Sequence, residues 1–190
     1  MDIIKRTSAG ESFDLIIAAN SAIDDFIHAG RVQTGSRVDI ARTGIGIAAQ
    51  RRAQRPDIGS AEALKRVLLA AKSVGYSTGP SGVYLAALFE SMGIAGDIKA
   101  KSRQVPPGAT VGPIIASGEV EIGFQQMSEL LRVDGVDVVG PLPGEIQHTT
   151  VISCGIATAA EEPDGARALV EFLAAATARD AIERGGLQPA

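Results

Sequence analysis

The chain of 190 residues is long enough for one large domain or two small ones, and its 45% hydrophobic and 21% charged residues are typical of a globular protein. A net charge of −4 without a basic block excludes nucleic acid as an expected partner. With 4% aromatic residues and no Trp, stacking platforms for bases or sugars are excluded as well.

Several other functional classes also lack support in the sequence. Cys154 is the single cysteine, so an internal disulfide is excluded, and its apolar neighbours predict a buried, inert thiol. No metal-ligand spacing, nucleophile elbow or phosphate-loop signature occurs, and we therefore expect no metal, no cofactor and no assigned catalytic residue. No apolar run approaches the roughly 18 residues of a membrane span, so no membrane insertion is expected. Asp2 and Lys5 follow Met1 closely, which predicts a chain without a secretory signal.

The front of the chain predicts the end of a helix, then a strand, then a second helix. Residues Asp2–Gly10 read as final helical turns that stop at a glycine. Phe13–Ala19 is a continuous apolar run, typical of a strand buried on both faces. Asn20 and Ser21 are predicted to form a polar loop and to cap a helix over Ala22–Ala29.

The stretch from Ser73 to Gly93 predicts a strand, a loop and a helix that together outline an anion pocket. Ser73–Tyr76 reads as a strand, and the small residues Ser77–Ser81 form the loop. Apolar residues recur at three- and four-residue spacing over Gly82–Met92, which predicts an amphipathic helix. A helix start presents unpaired N–H groups and the positive end of a dipole, which suits an anion. The alternative is an ordinary capped βα turn, which every α/β protein contains.

The other elements also alternate between strands and helices. They are a strand Arg37–Ala49 whose apolar alternation is interrupted at residues 42–44, a helix Ala61–Ala71 capped by Ser60, a basic strand Ile98–Val105, a helix Ala109–Ser117, strands Val120–Phe124, Val136–Val139 and Thr149–Ala157, a brief helix Ser128–Leu131, and helices Pro163–Ala175 and Thr177–Arg184. This alternation predicts the α/β class with mixed, mostly parallel sheets.

Two long strands far apart in sequence predict two lobes. Residues 1–48 and 148–190 are expected to form a discontinuous first lobe, and residues 49–147 an inserted second lobe. Ligands of open α/β sheets bind at the carboxyl ends of strands, and a cleft between lobes is a favoured place for a pocket.

The order of these elements resembles a known family. It is similar to the type II periplasmic solute-binding proteins, in particular to their molybdate-binding-protein-like branch. The segments that carry the resemblance are Gly10–Val32, Arg37–Gln50, Ala63–Ile94, Gly118–Leu131 and Leu169–Pro189. The specificity comes from their order and spacing, because no single motif is sharp. The family begins with further strands, so the resemblance implies a first lobe that lacks its N-terminal strands.

The resemblance also implies which residues would bind a small anionic ligand, because members of this family hold an oxyanion with hydroxyls and helix starts from both lobes. These residues are Asn20, Ser21, Arg42, Ser77, Thr78, Ser81, Gly82, Thr110, Val111 and Gln125. Arg42 suits a carboxylate, because a guanidinium forks onto its two oxygens, although a surface arginine explains the residue equally well. Gln125 and Gln126 stand where the family has a tyrosine, which favours a larger, hydrogen-bonding ligand.

The function implied is that of a solute-binding protein that captures a small oxyanion or carboxylate between its lobes and passes it to the permease of an ABC-type importer. The family implies a periplasmic location, and a cytoplasmic one stays open because no signal was found. A homodimer that covers an exposed sheet edge also stays open.

An enzyme on the same scaffold is the alternative function. Some relatives resemble aconitate isomerase, which moves a double bond in a tricarboxylate and needs a general base. Glu129, Glu145 and His148 are the candidates, and histidine is the residue type that titrates near neutral pH, although a histidine at a hinge surface is the simpler explanation. A co-inducer lobe of a transcription regulator would share the fold, but it has no support because no DNA-binding helices precede it.

Overall fold

The computed structural model of the chain describes residues 3–51, 53–106 and 108–190, without the side chains of Ile4 and Ser8. The chain divides into two compact units. Unit 1 comprises Met1–Thr43 and Thr150–Ala190, and unit 2 comprises Gly44–Thr149.

Helices and strands alternate along the chain, and the predicted α/β class with mixed strand pairing is confirmed. The helices are α1 (Ile3–Ser8), α2 (Asn20–His28), α3 (Ala61–Ala70), α4 (Pro80–Ser91), α5 (Ala95–Lys101), α6 (Gly112–Ala116), α7 (Met127–Leu130), α8 (Pro163–Ala174) and α9 (Arg179–Arg184), with 3₁₀ turns at Gly144–Ile146 and Ala176–Ala178. The strands are β1 (Leu15–Ala19), β2 (Val38–Gln50), β3 (Val74–Ser77), β4 (Ser102–Val105), β5 (Ile122–Gln126), β6 (Val136–Pro141), β7 (Thr149–Ile156) and β8 (Gln188–Pro189). Within the described ranges, no helix is long and apolar enough to cross a membrane.

The sheet of unit 2 is built around β3, which pairs in parallel with β4 on one side and with β5 on the other. β5 also pairs antiparallel with the second half of β2, where Ile45 lies opposite Gln126. β6 pairs antiparallel with the same half of β2. Because β3, β4 and β5 run in one direction, their final residues Ser77, Val105 and Gln126 mark one edge of the sheet, named here the carboxyl edge.

Two apolar clusters cover the two faces of this sheet. Side chains alternate along a strand, so β2 directs Ile45 and Ile47 into one cluster and Ala48 into the other. The first cluster holds α3, α4 and α5 through Leu64, Leu68, Leu85, Phe89 and Ile98, and the second holds α6 and α7 through Val111, Ile115 and Leu130. Full burial of one such large apolar side chain contributes about 1.5–3 kcal/mol, so these layers fix the helices whose starts lie at the carboxyl edge.

In unit 1, β1 pairs antiparallel with β7, and β7 lies between β1 and β2 in the strand order. The two-residue strand β8 joins the first half of β2, with Ala41 opposite Pro189. Helix α2 packs Ile23 and Phe26 against Ile16 of β1, and this cluster forms the core of the unit around α2.

One strand prediction is confirmed and another differs from the structure. The strand predicted over Arg37–Ala49 is observed as β2, which continues through residues 42–44 with Thr43 buried. The strand expected over Ile98–Val105 is wrong in its first half, because Ile98 belongs to α5 and only Ser102–Val105 is extended. The lysines of this segment lie in the last turn of α5, where positive charge stabilises a helix end.

The predicted helix starts have different outcomes. The cap predicted for α2 is wrong, because Asn20 is the first helical residue, Ala19 holds the cap position, and no side chain of the described residues caps it. The cap predicted for α3 is confirmed, because Ser60 Oγ accepts a hydrogen bond of 3.1 Å from the Ala63 amide. The short strand β8 has no counterpart among the predicted elements.

Candidate functional site

The carboxyl edge of unit 2 brings together most of the residues that the resemblance marks as ligand-binding. β3 ends at Ser77, and β5 ends one residue after Gln125. The two strands pair in parallel where Val74 lies opposite Ile122 and Gly75 opposite Gly123, so both strands end on the same side of the sheet. This is the edge at which open α/β sheets bind their ligands.

The turn from β3 into α4 places a helix start directly against a strand end. A Cβ atom added to Gly82 would lie 1.6 Å from the Ser77 carbonyl oxygen, so only glycine permits this approach. Pro80 occupies the first turn, where its missing N–H removes no helical hydrogen bond. No side chain of the described residues caps α4, and the first amides of a helix have no intrahelical acceptor. The amides of Ser81 and Gly82 are therefore hydrogen-bond donors at the positive end of the α4 dipole.

The two hydroxyls of this turn differ in their hydrogen bonds. Ser77 Oγ accepts a bond of 3.3 Å from the Gly79 amide, which leaves the Ser77 hydroxyl proton for another acceptor. Thr78 Oγ1 donates to the Val105 carbonyl at 3.3 Å, and the Thr78 amide donates to the same carbonyl at 2.9 Å. Thr78 therefore ties β3 to β4, and its hydroxyl proton is used within the unit.

Gln125 closes the start of α6. This residue is 5% exposed, and its Oε1 accepts hydrogen bonds from the amides of Val111 at 2.7 Å and Gly112 at 3.3 Å. The Val111 amide, which the resemblance marks as a ligand donor, is thus bound by a side chain of its own unit. Thr110, one residue earlier, is exposed.

A second polar group of unit 2 surrounds His148. Its imidazole stacks on the Tyr84 ring with the centroids 4.6 Å apart, and the Tyr84 hydroxyl donates to the Ile146 carbonyl at 2.8 Å. The Gln147 amide bridges to β2, because Oε1 accepts from the Ile45 amide at 2.9 Å and Nε2 donates to the Ile45 carbonyl at 3.1 Å. The same Oε1 accepts from the His148 amide at 2.9 Å. His148 is therefore held against α4, the helix whose start forms the anion-favouring turn.

The two other candidate bases are less suited to proton abstraction. Glu145 Oε1 accepts a hydrogen bond of 2.8 Å from the Ala61 amide at the start of α3, and this bond lowers the pKa of the carboxyl group. A lowered pKa makes a carboxylate a weaker base. Glu129 is exposed on α7. Of the three candidate bases, His148 is the one whose side chain is held in place by a ring stack.

Tyr84 and Gln147 belong to this group although the sequence alone did not mark them. Their partners Ile146 and Ile45 lie 62 and 102 residues away, beyond the reach of a local pattern. One signal for Gln147 was available, since a Cβ atom on Gly44 would lie 2.9 Å from its Nε2. A glycine inside a long strand often marks such a close approach, and here the approach of Gln147 accounts for the glycine at the interruption of the apolar alternation.

The unit 1 candidates lie on α2 and β2. Asn20 begins α2 and is partly buried, and Ser21 follows it in an exposed position. Arg42 is exposed on β2, where it lies opposite Gln188 of β8.

A charged network on the same strand surrounds Asp39. Its Oδ1 accepts a hydrogen bond of 2.6 Å from buried Ser153 Oγ, and Arg37 Nε lies 3.3 Å from the same oxygen. These contacts lower the pKa of Asp39, with the Ser153 hydrogen bond the largest cause and the Arg37 and Arg42 charges adding to it. Arg37 also pairs with Asp24 of α2 at 2.6 Å, which ties the helix to the strand.

Two cavities among the described residues lie away from the carboxyl edge. One of about 410 Å³ lies at the opposite end of the unit 2 sheet, beside Ala49, Val67 and Glu121. Another of about 350 Å³ lies within unit 1 beside Phe13 and Ile16. Neither is lined by a residue that the resemblance marks, so we place the candidate site at the carboxyl edge, where the donors converge. No cluster of three or more His, Cys, Asp or Glu side chains within the described ranges could hold a metal ion.

Comparison with known proteins identifies the family. Residues 1–188 match the family model described as bacterial extracellular solute-binding protein, and the chain belongs to this family. It is also similar to an aconitate isomerase from a Pseudomonas species, with 39% identity over 188 residues that cover 98% of this chain and 71% of that protein.

Solved structures show the same fold. The periplasmic molybdate-binding protein of Azotobacter vinelandii superposes with a TM-score of 0.78 at 16% identity, covering 97% of this chain and 82% of that one. A Bordetella ferric binding protein superposes with a TM-score of 0.62 at 16% identity, covering 100% of this chain and 74% of that one. The resemblance to type II periplasmic solute-binding proteins is therefore confirmed, and identities this low carry the fold alone.

Proposed function

We propose that the chain captures a small carboxylate or oxyanion at the carboxyl edge of unit 2 and presents it to the permease of an ABC-type importer. The observation that carries the proposal is the start of α4. There the Ser77 hydroxyl and the amides of Ser81 and Gly82 offer donors, and residues 77–82 contain no acidic side chain. Donors at the positive end of a helix dipole suit a negative ligand. The family, described as extracellular solute-binding proteins, supports a periplasmic or extracellular location for this activity.

The unit 1 residues marked by the resemblance, Asn20, Ser21 and Arg42, are part of the same proposal. Arg42 is its most testable member, because an exposed guanidinium binds a carboxylate through two parallel hydrogen bonds and an ammonium does not. Arg42→Lys keeps the charge and removes the fork. A carboxylate affinity that is unchanged in this variant removes Arg42 from the site.

A thermal-shift screen tests the proposal directly. The probes are molybdate, tungstate, sulfate, phosphate, and a series of di- and tricarboxylates. A ligand that binds the folded state alone stabilises it by about 2.7 kcal/mol at a hundredfold excess over its Kd. We expect at least one anion to raise the melting temperature and Ser81→Asp to abolish that rise, because the variant places a negative charge at the helix start. If no anion shifts the wild type, the proposal fails.

An isomerase is the second candidate function, and two observations favour it. The chain is 39% identical to an aconitate isomerase, and His148 is fixed by Tyr84 against α4. In this function the imidazole would take a proton from one carbon of a tricarboxylate and a proton would return at another, so that the double bond moves. Proton NMR of cis- and trans-aconitate incubated with the protein separates the two functions. Interconversion by the wild type and its loss in His148→Gln supports the enzyme, and binding without interconversion supports the carrier.

A further inference from the structure

The hydrogen bonds of Gln125 fix which way its side-chain amide points. Oε1 accepts from the amides of Val111 and Gly112, so both of its lone-pair sites are used at the start of α6. Only the oxygen end of the amide can accept hydrogen bonds. The NH₂ end is consequently turned away from α6.

The NH₂ group of Gln125 is a donor without an acceptor in this structure. Among the described residues no atom accepts a hydrogen bond from Nε2. Nε2 is also not one of the side-chain atoms that are both shielded from solvent and without a partner, so it keeps some contact with solvent. Gln125 as a whole is only 5% exposed, and the two hydrogen bonds of Oε1 hold its side chain in one position. Gln125 lies one residue before the end of β5, and Ser77 ends β3, the parallel neighbour that pairs with β5 at Val74 and Gly75.

The geometry points to Gln125 as the residue that sets the ligand class of the carboxyl edge, an inference that rests on the proposed function. Its oxygen occupies the amides of Val111 and Gly112, so these two donors at the start of α6 are not available to a ligand. In place of these two amides, the Nε2 group of Gln125 offers a ligand one neutral donor group, farther from α6. The site therefore binds a carboxylate oxygen through Gln125 Nε2, together with the Ser77 hydroxyl and the α4 amides.

Small tetrahedral oxyanions are disfavoured by the same arrangement. A compact dianion loses a large hydration energy on entering a site and needs many converging donors in return. With the α6 amides blocked, unit 2 offers such an ion the α4 turn and one amide NH₂ group. A carboxylate has two oxygens and one charge, which matches this smaller donor set. We therefore expect a carboxylate group, with tricarballylate as the probe, to bind more tightly than molybdate or sulfate.

Gln125→Glu is the variant that separates the cap from the ligand donor. One carboxylate oxygen can still accept from Val111 and Gly112, and negative charge is favourable at a helix start, so the free protein should melt at an unchanged or higher temperature. The second oxygen is an acceptor at the place of the former donor. We expect the affinity for tricarballylate, a tricarboxylate without a double bond, to fall by about 30-fold or more.

Gln54→Glu is the matched control. It makes the same change in charge on an exposed loop residue that follows β2 in unit 2, away from the carboxyl edge. Its affinity for tricarballylate should stay within about twofold of the wild type, because exposed charges are screened at physiological salt.

A second variant, Gln125→Leu, tests the cap without any ligand. The amides of Val111 and Gly112 lose their acceptor, so their hydrogen exchange should become at least about tenfold faster than in the wild type.

The outcomes are distinguishable. Unchanged tricarballylate binding by Gln125→Glu, or unchanged amide exchange in Gln125→Leu, overturns the role of Gln125. Tighter binding of molybdate than of any carboxylate by the wild type overturns the assigned ligand class and leaves the proposed function standing. A wild type that binds no anion overturns both.

Discussion

Tyr84 and His148 lie face to face, with ring centroids 4.6 Å apart and ring planes inclined by 23°. The Tyr84 hydroxyl donates to the Ile146 carbonyl at 2.8 Å, so one side chain of α4 holds both the backbone and the ring that precede β7. This contact links the helix whose start offers the anion donors to the segment that leads out of unit 2. Its two components, the stack and the hydrogen bond, can be separated by substitution.

We expect Tyr84→Phe and Tyr84→Ala to differ in their effects on stability. Tyr84→Phe keeps the stacked ring and loses one hydrogen bond, which lowers the free energy of unfolding by about 0.5–1.5 kcal/mol. Tyr84→Ala also loses the ring and leaves a cavity, and we expect a loss of about 3 kcal/mol or more. Urea unfolding followed by circular dichroism measures both. Equal losses in the two variants would show that the stack on His148 contributes nothing.

Gly82→Ala should displace α4 from β3. The added Cβ would lie 1.6 Å from the Ser77 carbonyl oxygen and 2.7 Å from its carbon, and neither backbone atom can move aside alone. We expect a loss of about 1–3 kcal/mol in the free energy of unfolding and a weaker response to every anion that stabilises the wild type. Gly96→Ala in α5 is the control, since a Cβ atom there meets nothing within 4 Å. It should stabilise the protein by about 0.5–1 kcal/mol, and similar losses in both variants would contradict the packing argument.

Much of the fold could be predicted from local patterns, because the helices and strands of an α/β chain are marked by the spacing of their apolar residues and by the residues at their ends. Ser60 before α3 and the glycines after α1 and α4 marked helix ends correctly, and Gly10 and Gly93 adopt positive φ values there. The reason for a glycine at position 44 could not be read locally, because the side chain that it lies against, Gln147, is 103 positions along the chain.

The candidate site could be predicted only in part, for a related reason. The loop at Ser77 was visible, since small residues before an amphipathic helix are a local signal. That Gln125 caps α6 depends on the pairing of β5 with β3, which fixes where the side chain points. The family resemblance marked Gln125 as a ligand-binding residue and could not show that its oxygen accepts a hydrogen bond from Val111. Partners of this kind become visible only once the sheet is assembled.

Cys154 should be inert in the folded protein. Its side chain is buried, and burial raises the pKa of the thiol to about 11, so the reactive thiolate is scarce at neutral pH. We expect no labelling by a thiol reagent at about pH 8 in buffer and complete labelling in urea, where the thiol returns to its ordinary pKa near 8.5. Cys154→Val combined with Ala87→Cys is the control, because residue 87 is exposed on α4 and should react at once. Rapid labelling of the wild type would mean that β7 opens readily.

The Asp39 network should make the stability of the protein depend on pH in the acid range. The hydrogen bond from Ser153, followed by the charge of Arg37, lowers the pKa of Asp39 in the folded state. A carboxyl group with a lowered folded-state pKa stabilises the fold above its unfolded value of about 3.9, and this contribution disappears as the pH falls through the folded pKa. Because the carboxylate is 41% exposed, screening by solvent keeps the effect small.

Asp39→Asn should therefore flatten the acid limb of the stability curve. The variant is expected to have a lower free energy of unfolding than the wild type near neutral pH. The difference should shrink as the pH falls below about 4, because the wild type then loses the stabilisation from the ionised Asp39 carboxylate, which the variant lacks at every pH. Urea unfolding at steps of pH measures the difference. Asp25→Asn removes an exposed carboxylate from α2, outside the network, and provides the control for the change in net charge. Parallel stability curves for the wild type and Asp39→Asn would show that the hydrogen bond from Ser153 does not shift the titration of Asp39.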